Sequence, residues 1–320
     1  MPGKGPGTAK QSARFEKGGY SMIEIQQLVK WFGSKAALDG ISLQIEKGSV
    51  FGLVGSNGAG KSTLLRVLAG VYRPDGGSVL MDEEPPYENS SLKNRIFFVS
   101  DYPYFLPKST LQETASLYRR VYAHWSEERY QALCRTFGLD IHGRIQNFSK
   151  GMQRQAALIL ALSAQPDYLL LDEIFDGLDP VVRQLLKKLL ADEVALREMT
   201  VIIASHNLRE LEDVCDHVGF LHHGGVLMEQ ELDSLRLGIH KIQAVFQHLP
   251  TAEQLSGLDI VRWETRGSLV SMVVRGEDEQ IQAELEKWNP VFCESLPLTL
   301  EEVFISEMEA AGYDIDNILS

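Results

Sequence analysis

Gly55-Ser56-Asn57-Gly58-Ala59-Gly60-Lys61-Ser62-Thr63 decides the fold of this chain. The stretch fits the pattern G-x-x-x-x-G-K-[ST]. It follows Ser49-Val50-Phe51-Gly52-Leu53-Val54, a β-branched apolar run with strand character. Behind it comes Thr63-Leu64-Leu65-Arg66-Val67-Leu68-Ala69, a run compatible with a helix. Strand, glycine loop and helix together make a P-loop, in which backbone N–H groups curl around an anion at the positive end of a helix. Lys61 is placed to reach the β- and γ-phosphates and Ser62 to ligate Mg²⁺. The chain is therefore expected to bind a nucleoside triphosphate.

Working outward, 320 residues allow one large domain or two modest ones, and 44% hydrophobic with 23% charged residues is the balance of a folded soluble protein. No apolar run approaches the ~18 residues that span a bilayer. Cys134, Cys215 and Cys293 stand far apart, without a C-x-x-C pair, which argues for a reducing compartment and against a disulfide frame or zinc site. The net charge of −13 is uneven: from Ile239 to Ser320 there are 15 acidic against 5 basic residues, supplying −10 of it. Such an acidic chain is a poor partner for nucleic acid. Residues 1–21 are glycine-rich and basic without apolar periodicity, and read as a disordered extension or as sequence upstream of a start at Met22.

Apolar patterning predicts a strand from Ile23, continued through Leu43, Ile45 and Val50, and a short strand from Ser78 to Met81 after the turn Pro74-Asp75-Gly76-Gly77. A helical stretch is expected over Leu111 to Phe137, with Leu111, Ala115, Tyr118, Val121 and Tyr122 on one face. Then come a helix from Gln153 to Ser163, a strand at 168–171, a helix from Val181 to Leu196, a strand at 200–204 and a helix from Leu208 to Asp216. This succession implies a parallel sheet covered by helices, with a helical insertion at about 105–160. Beyond residue 238 the texture becomes that of a small α+β appendage, with strands at Lys241 to Phe246, Ile260 to Trp263 and Leu269 to Val274 and a helix at Asp278 to Trp288. The domain reading is thus 22–238 and 239–320.

Tyr168-Leu169-Leu170-Leu171-Asp172-Glu173 is an apolar strand ending in two carboxylates. Beside a P-loop strand it delivers Asp172 to the Mg²⁺ shell and Glu173 to an attacking water. With Asn147-Phe148-Ser149-Lys150-Gly151-Met152-Gln153-Arg154, these residues resemble the ATP-binding cassette (ABC) ATPases over about residues 22 to 235. The resemblance implies an α/β P-loop NTPase fold with a parallel core sheet, an antiparallel β subdomain and a helical insertion. It also implies an adenine-stacking aromatic at Phe32, with Trp31 as a neighbour able to substitute. Ser149, Lys150, Gly151 and Met152 stand at the signature, which grips the γ-phosphate held by a second subunit; Ser-Lys-Gly-Met is similar to a branch of bacterial transporter ATPases. Asp179, in Gly177-Leu178-Asp179-Pro180, matches a loop reaching across the dimer, and His206 matches the switch histidine that contacts the γ-phosphate and orients Glu173. Asp101 departs from the family, which usually has glutamine there; a carboxylate still suits Mg²⁺. The aromatic, proline-containing run Tyr102 to Pro107 reads either as a docking surface or as core rings.

One P-loop and one signature per chain imply a dimer, homomeric or heteromeric, with two ATP molecules at its interface. The resemblance implies an ATP-hydrolysing subunit that powers a membrane transporter through a separate permease, on the inner face of the cell membrane. Leu298-Thr299-Leu300-Glu301-Glu302-Val303-Phe304-Ile305 resembles an ending found with exporter-type permeases, and also reads as an amphipathic helix packing the appendage. The alternatives are a soluble ABC-type clamp and a nucleotide-gated regulator.

Overall fold

The computed structural model describes residues 21–310 apart from 233–237, 248–249, 252–254, 256 and 297. The extension expected over residues 1–21 lies outside the described residues up to position 20, and Ser21 already belongs to the first strand. β1 (Ser21–Phe32) and β2 (Lys35–Glu46) pair antiparallel and bury Ile23, Ile25 and Leu28 against Ile41, Leu43 and Ile45. β3 (Val50–Val54) leads into the glycine loop and α1 (Lys61–Leu68), and β4 (Gly76–Met81) returns to make a sheet of order β2-β1-β4. The chain continues through α2 (Ser90–Lys93), β5 (Ile96–Val99), α3 (Leu111–Val121), α4 (Glu127–Phe137) and α5 (Lys150–Ser163) to β6 (Tyr168–Asp172). α6 (Pro180–Arg197), β7 (Thr200–Ser205), α7 (Leu208–Leu211) and the hairpin β8 (His217–His222) and β9 (Gly225–Glu231) follow.

The central sheet has the order β5-β6-β7-β3-β8-β9, parallel except for the β8–β9 pair. Every residue of β3, β6 and β7 is buried, as strands covered on both faces require. Alternation divides them between two cores. Leu169, Leu171, Val201 and Ile203 face α3 to α6, whereas Tyr168, Leu170, Ile202 and Ala204 face α1 and the antiparallel sheet. The expected neighbourhood of β6 and the P-loop strand is corrected here: β7, which leads to His206, lies between them.

Three expected helices are also shorter than their patterns. The stretch 111–137 is two helices, because Thr110 with Glu113 closes a capping box on α3 and Ser126 caps α4 by accepting from Arg129 N–H at 3.1 Å. Val121, expected inside, ends α3 and is half exposed. The helix expected to Asp216 closes at Leu211, because Asp216 is drawn into the sheet: its carboxylate accepts from Val50 N–H at 2.7 Å and its own N–H donates to Val50 O at 2.8 Å. The helix at 278 ends at Glu286 rather than Trp288.

β10 (Ile239–Phe246), β11 (Asp259–Arg266), β12 (Leu269–Arg275), α8 (Asp278–Glu286), β13 (Pro290–Leu296) and α9 (Leu300–Ala310) complete the chain. The antiparallel sheet β11-β12-β10-β13 packs Ile242, Ala244, Met272 and Val274 with Ile281 and Leu285 of α8. Ile239 and Val273 instead join the core of the larger sheet, as do Leu300, Val303 and Phe304 of α9. Among the described residues, no helix is long and apolar enough to cross a membrane.

Leu170 is fully buried in the middle of β6. Leu170→Ala is expected to cost about 3–5 kcal/mol through lost burial and the cavity left behind. Urea unfolding checks this, and a cost below about 1 kcal/mol would place β6 outside the core.

Candidate functional site

The glycine loop is shaped by what its backbone must pass. Gly60 caps α1 with φ +114°, and a Cβ there would lie 2.6 Å from Ala37 O, so only glycine fits. Asn57 and Gly58 are exposed at the crest of the loop, Gly55, Ser56, Ser62 and Thr63 are half-buried, and Ala59 is buried beneath it. Lys61 is buried at the start of α1; its Nζ donates to Gly55 O at 2.6 Å and lies 3.3 Å from Glu173 Oε1. The loop and the end of β6 thus meet through a lysine and a carboxylate.

Asp172 is 1% exposed at the last position of β6. Ser62 Oγ donates to its Oδ1 at 2.9 Å, while Oδ2 is buried with no hydrogen-bond partner and has the Arg66 guanidinium 4.0 Å away. Burial pushes the carboxyl above its ordinary range, and the Ser62 bond and Arg66 oppose that shift. Glu173 follows at φ +48°, a left-handed conformation costing a non-glycine residue about 1–3 kcal/mol. That turn sends the second carboxylate away from the first. Its Oε2 accepts from His206 N–H at 3.3 Å and lies 2.9 Å from His206 Nδ1, which must carry the proton facing a carboxylate. Glu173 N–H donates to Ala204 O at 2.9 Å, tying the turn to β7. Asp176, not singled out in the sequence, completes a group with Glu173 and His206 whose ligand atoms all lie within 4.8 Å of one another.

The signature stretch opens α5. Ser149 is exposed and caps the helix, its Oγ accepting from Met152 N–H at 3.2 Å. Gly151 is required by packing, since a Cβ there would meet Gly177 O at 2.7 Å. Lys150 is exposed with its Nζ 6.0 Å above the Tyr102 ring. Asp179 caps α6, accepting from the N–H groups of Val181 and Val182 at 3.0 Å. Asp101 does not turn to Asp172; its carboxylate is paired with Arg154. The same guanidinium donates to the carbonyls of Asp101 (3.2 Å) and Asp176. Arg154 therefore joins the segment after β5, the loop after β6 and the signature helix. The sequence reading puts it at the start of a helix expected from Gln153, whereas α5 begins at Lys150, and its partners were not legible. Tyr102 and Tyr104 are 75% and 77% exposed, so in the run after Asp101 only Phe105 packs on the core.

At the far end of β1, Trp31 and Phe32 are each about half exposed. Tyr72 meets the Phe32 ring edge-on at 5.3 Å, and Lys30 Nζ stands 5.7 Å from it. Asp75 fixes this strand end by accepting from Trp31 N–H at 2.7 Å.

Comparison with known proteins identifies the family. The family model described as ABC transporter matches residues 38–176, and one described as AAA domain, putative AbiEii toxin, Type IV TA system matches 143–212. The ABC transporter ATP-binding protein YtrB of Bacillus subtilis is 32% identical over 289 residues, 89% of this chain and 98% of its own length. The bacitracin transport ATP-binding protein BcrA of Bacillus licheniformis is 29% identical, over 68% of this chain and 72% of its own. A solved ATP-binding subunit of an ABC transporter superposes with a TM-score of 0.62 at 25% identity, covering 68% of this chain and 92% of that one. The chain belongs to the ABC transporter family, as an ATP-binding, ATP-hydrolysing subunit.

Proposed function

We propose that two such subunits close around two Mg²⁺–ATP and so drive an exporter whose spanning segments lie on a separate permease. The observation that carries this reading is Glu173, held between Lys61 Nζ at 3.3 Å and His206 Nδ1 at 2.9 Å. From there its carboxylate takes the proton of a water attacking the γ-phosphorus, as the bond to the bridging oxygen breaks and ADP leaves. Lys61 exchanges Glu173 for the β- and γ-phosphates, within the cradle of residues 55–63. With Nδ1–H directed at Glu173, His206 contacts a γ-phosphate oxygen only when Nε2 carries a proton as well, because a bare Nε2 is an acceptor like the phosphate oxygen itself. Adenine stacks on the open face of Phe32, which Tyr72 steadies from the edge.

A divalent cation fits beside Asp172, whose unpartnered Oδ2 and whose neighbour Ser62 Oγ are hard oxygen ligands. When bound, Mg²⁺ neutralises charge on the phosphate oxygens. Asp101 joins that shell only by giving up Arg154. Exposed Ser149, with Lys150, Gly151 and Met152 at the start of α5, offers a hydroxyl and helix-end N–H groups to the nucleotide of the second subunit, and exposed Asp179 lies beside that contact. The permease seats on the exposed rings of Tyr102 and Tyr104, which places the subunit at the inner face of the cell membrane. Residues 22–238 form the motor and 239–320 the accessory domain. Transport of bacitracin by the relative named for it is in keeping with an export role.

Lys61→Ala is expected to abolish ATP binding in a titration with a fluorescent nucleotide; unaltered affinity would remove the loop from the site. Glu173→Gln should keep ATP binding, lower turnover by about 10²–10⁴-fold, and accumulate an ATP-dependent dimer in size exclusion. Wild-type turnover by that variant would end the general-base assignment.

A further inference from the structure

We propose that α9 is a positioning element for hydrolysis, holding α7 and through it His206, so that the accessory domain sets the rate of the motor. This rests on the role of His206 beside Glu173. α7 begins two residues after His206 and is a single turn of four residues. A helix that short has no stability of its own, so its place is decided by what packs on it. On the inner side, Leu208 and Leu211 are buried, and Glu210 is held by Ser205 Oγ at 3.1 Å and Arg183 at 3.5 Å. The outer side is held by α9.

Consecutive residues of α9 are divided between the two domains. Leu300 N–H donates to Glu212 Oε1 at 3.1 Å, directly after α7, and Glu301 pairs with Arg209 of α7 at 3.1 Å. Glu302 pairs instead with Lys241 of β10, and it closes a capping box with Thr299 at the start of α9. Phe304 stacks on Phe220 of β8, with ring centroids 4.1 Å apart and planes 11° apart. A load on the accessory sheet therefore reaches α9 through Lys241 and leaves it through Arg209 and Glu212. One residue, Leu208, separates Arg209 from Asn207, which follows the switch histidine. The run Leu300 to Phe304 is occupied within this chain, and its exporter-like pattern is that of an internal bracket.

The test is ATP turnover by full-length Phe304→Ala, Phe304→Leu and His206→Ala, with hydrogen exchange of the amides at 206–212 and 55–63 in the nucleotide-free protein. For Phe304→Ala we expect kcat to fall about tenfold with KM within about twofold, corresponding to a lost population of aligned His206. Exchange should accelerate at 206–212 and not at 55–63, and Phe304→Leu should restore most of both. Should Phe304→Ala not fold, Glu301→Gln, at the surface, is expected to lower kcat about twofold, with no further loss when combined with Arg209→Gln. Unchanged kcat in these variants, or loss of kcat accompanied by faster exchange at 55–63, overturns the positioning role. If His206→Ala itself turns over normally, the failure lies with the histidine assignment, because the bracket then has nothing to position.

Discussion

A carboxylate buried to 1% exposure with one oxygen unpaired is the constraint around which this protein is organised. Removing such a charge from water costs several kcal/mol unless partners replace the lost hydration. Asp172 has only the Ser62 hydroxyl in hydrogen-bond contact and Arg66 at 4.0 Å, so burial still dominates and holds its proton more tightly than usual. The next residue solves a different problem. A left-handed turn at Glu173 lets two adjacent acids serve two centres, one facing the hydroxyl of the P-loop helix and the other facing Lys61 and His206. Neither arrangement survives without β7, whose Ala204 carbonyl anchors the turn and whose end carries the histidine.

Much of this was legible in the sequence because the decisive features are local. A phosphate loop needs glycine where the backbone passes close to β2, a lysine at the helix start and a hydroxyl after it, and all are consecutive in the chain. An apolar strand ending in two acids is equally local. Sheet order is not, and β7 entered between β3 and β6 without any signal in either strand. Helix ends were misplaced for a related reason. Apolar periodicity continued past Tyr122 and toward Asp216, but Ser126 offered a cap and Val50 offered a hydrogen bond from across the fold. Long-range partners also decided Arg154, an ordinary helical cation until three segments converge on it.

The C-terminal sheet shows how one set of strands can belong to two cores. Along β10, Ile242, Ala244 and Phe246 turn toward α8, while Ile239 joins the cluster under the larger sheet. The alternation of a strand permits that division at no cost in burial. It leaves the sheet β11-β12-β10-β13 with a core of its own and with apolar residues that also join the core of the larger sheet. Among the described residues its carboxylates are exposed or half-buried, and the apolar residues that seat it lie beneath.

The pairing of Asp101 with Arg154 bears on how such a chain can change over generations. Asp101 stands where the family resemblance leads one to expect a neutral amide, and Arg154 reaches it from half-buried surroundings. Replacing the arginine first would leave an unpaired acid beside Asp172, whose proton affinity Asp101 already raises. Replacing the aspartate first would leave a guanidinium held by carbonyls alone. Either intermediate carries an uncompensated charge into the catalytic neighbourhood. The two side chains therefore act as one charge-paired unit, and a change at either alters the electrostatic surroundings of the other.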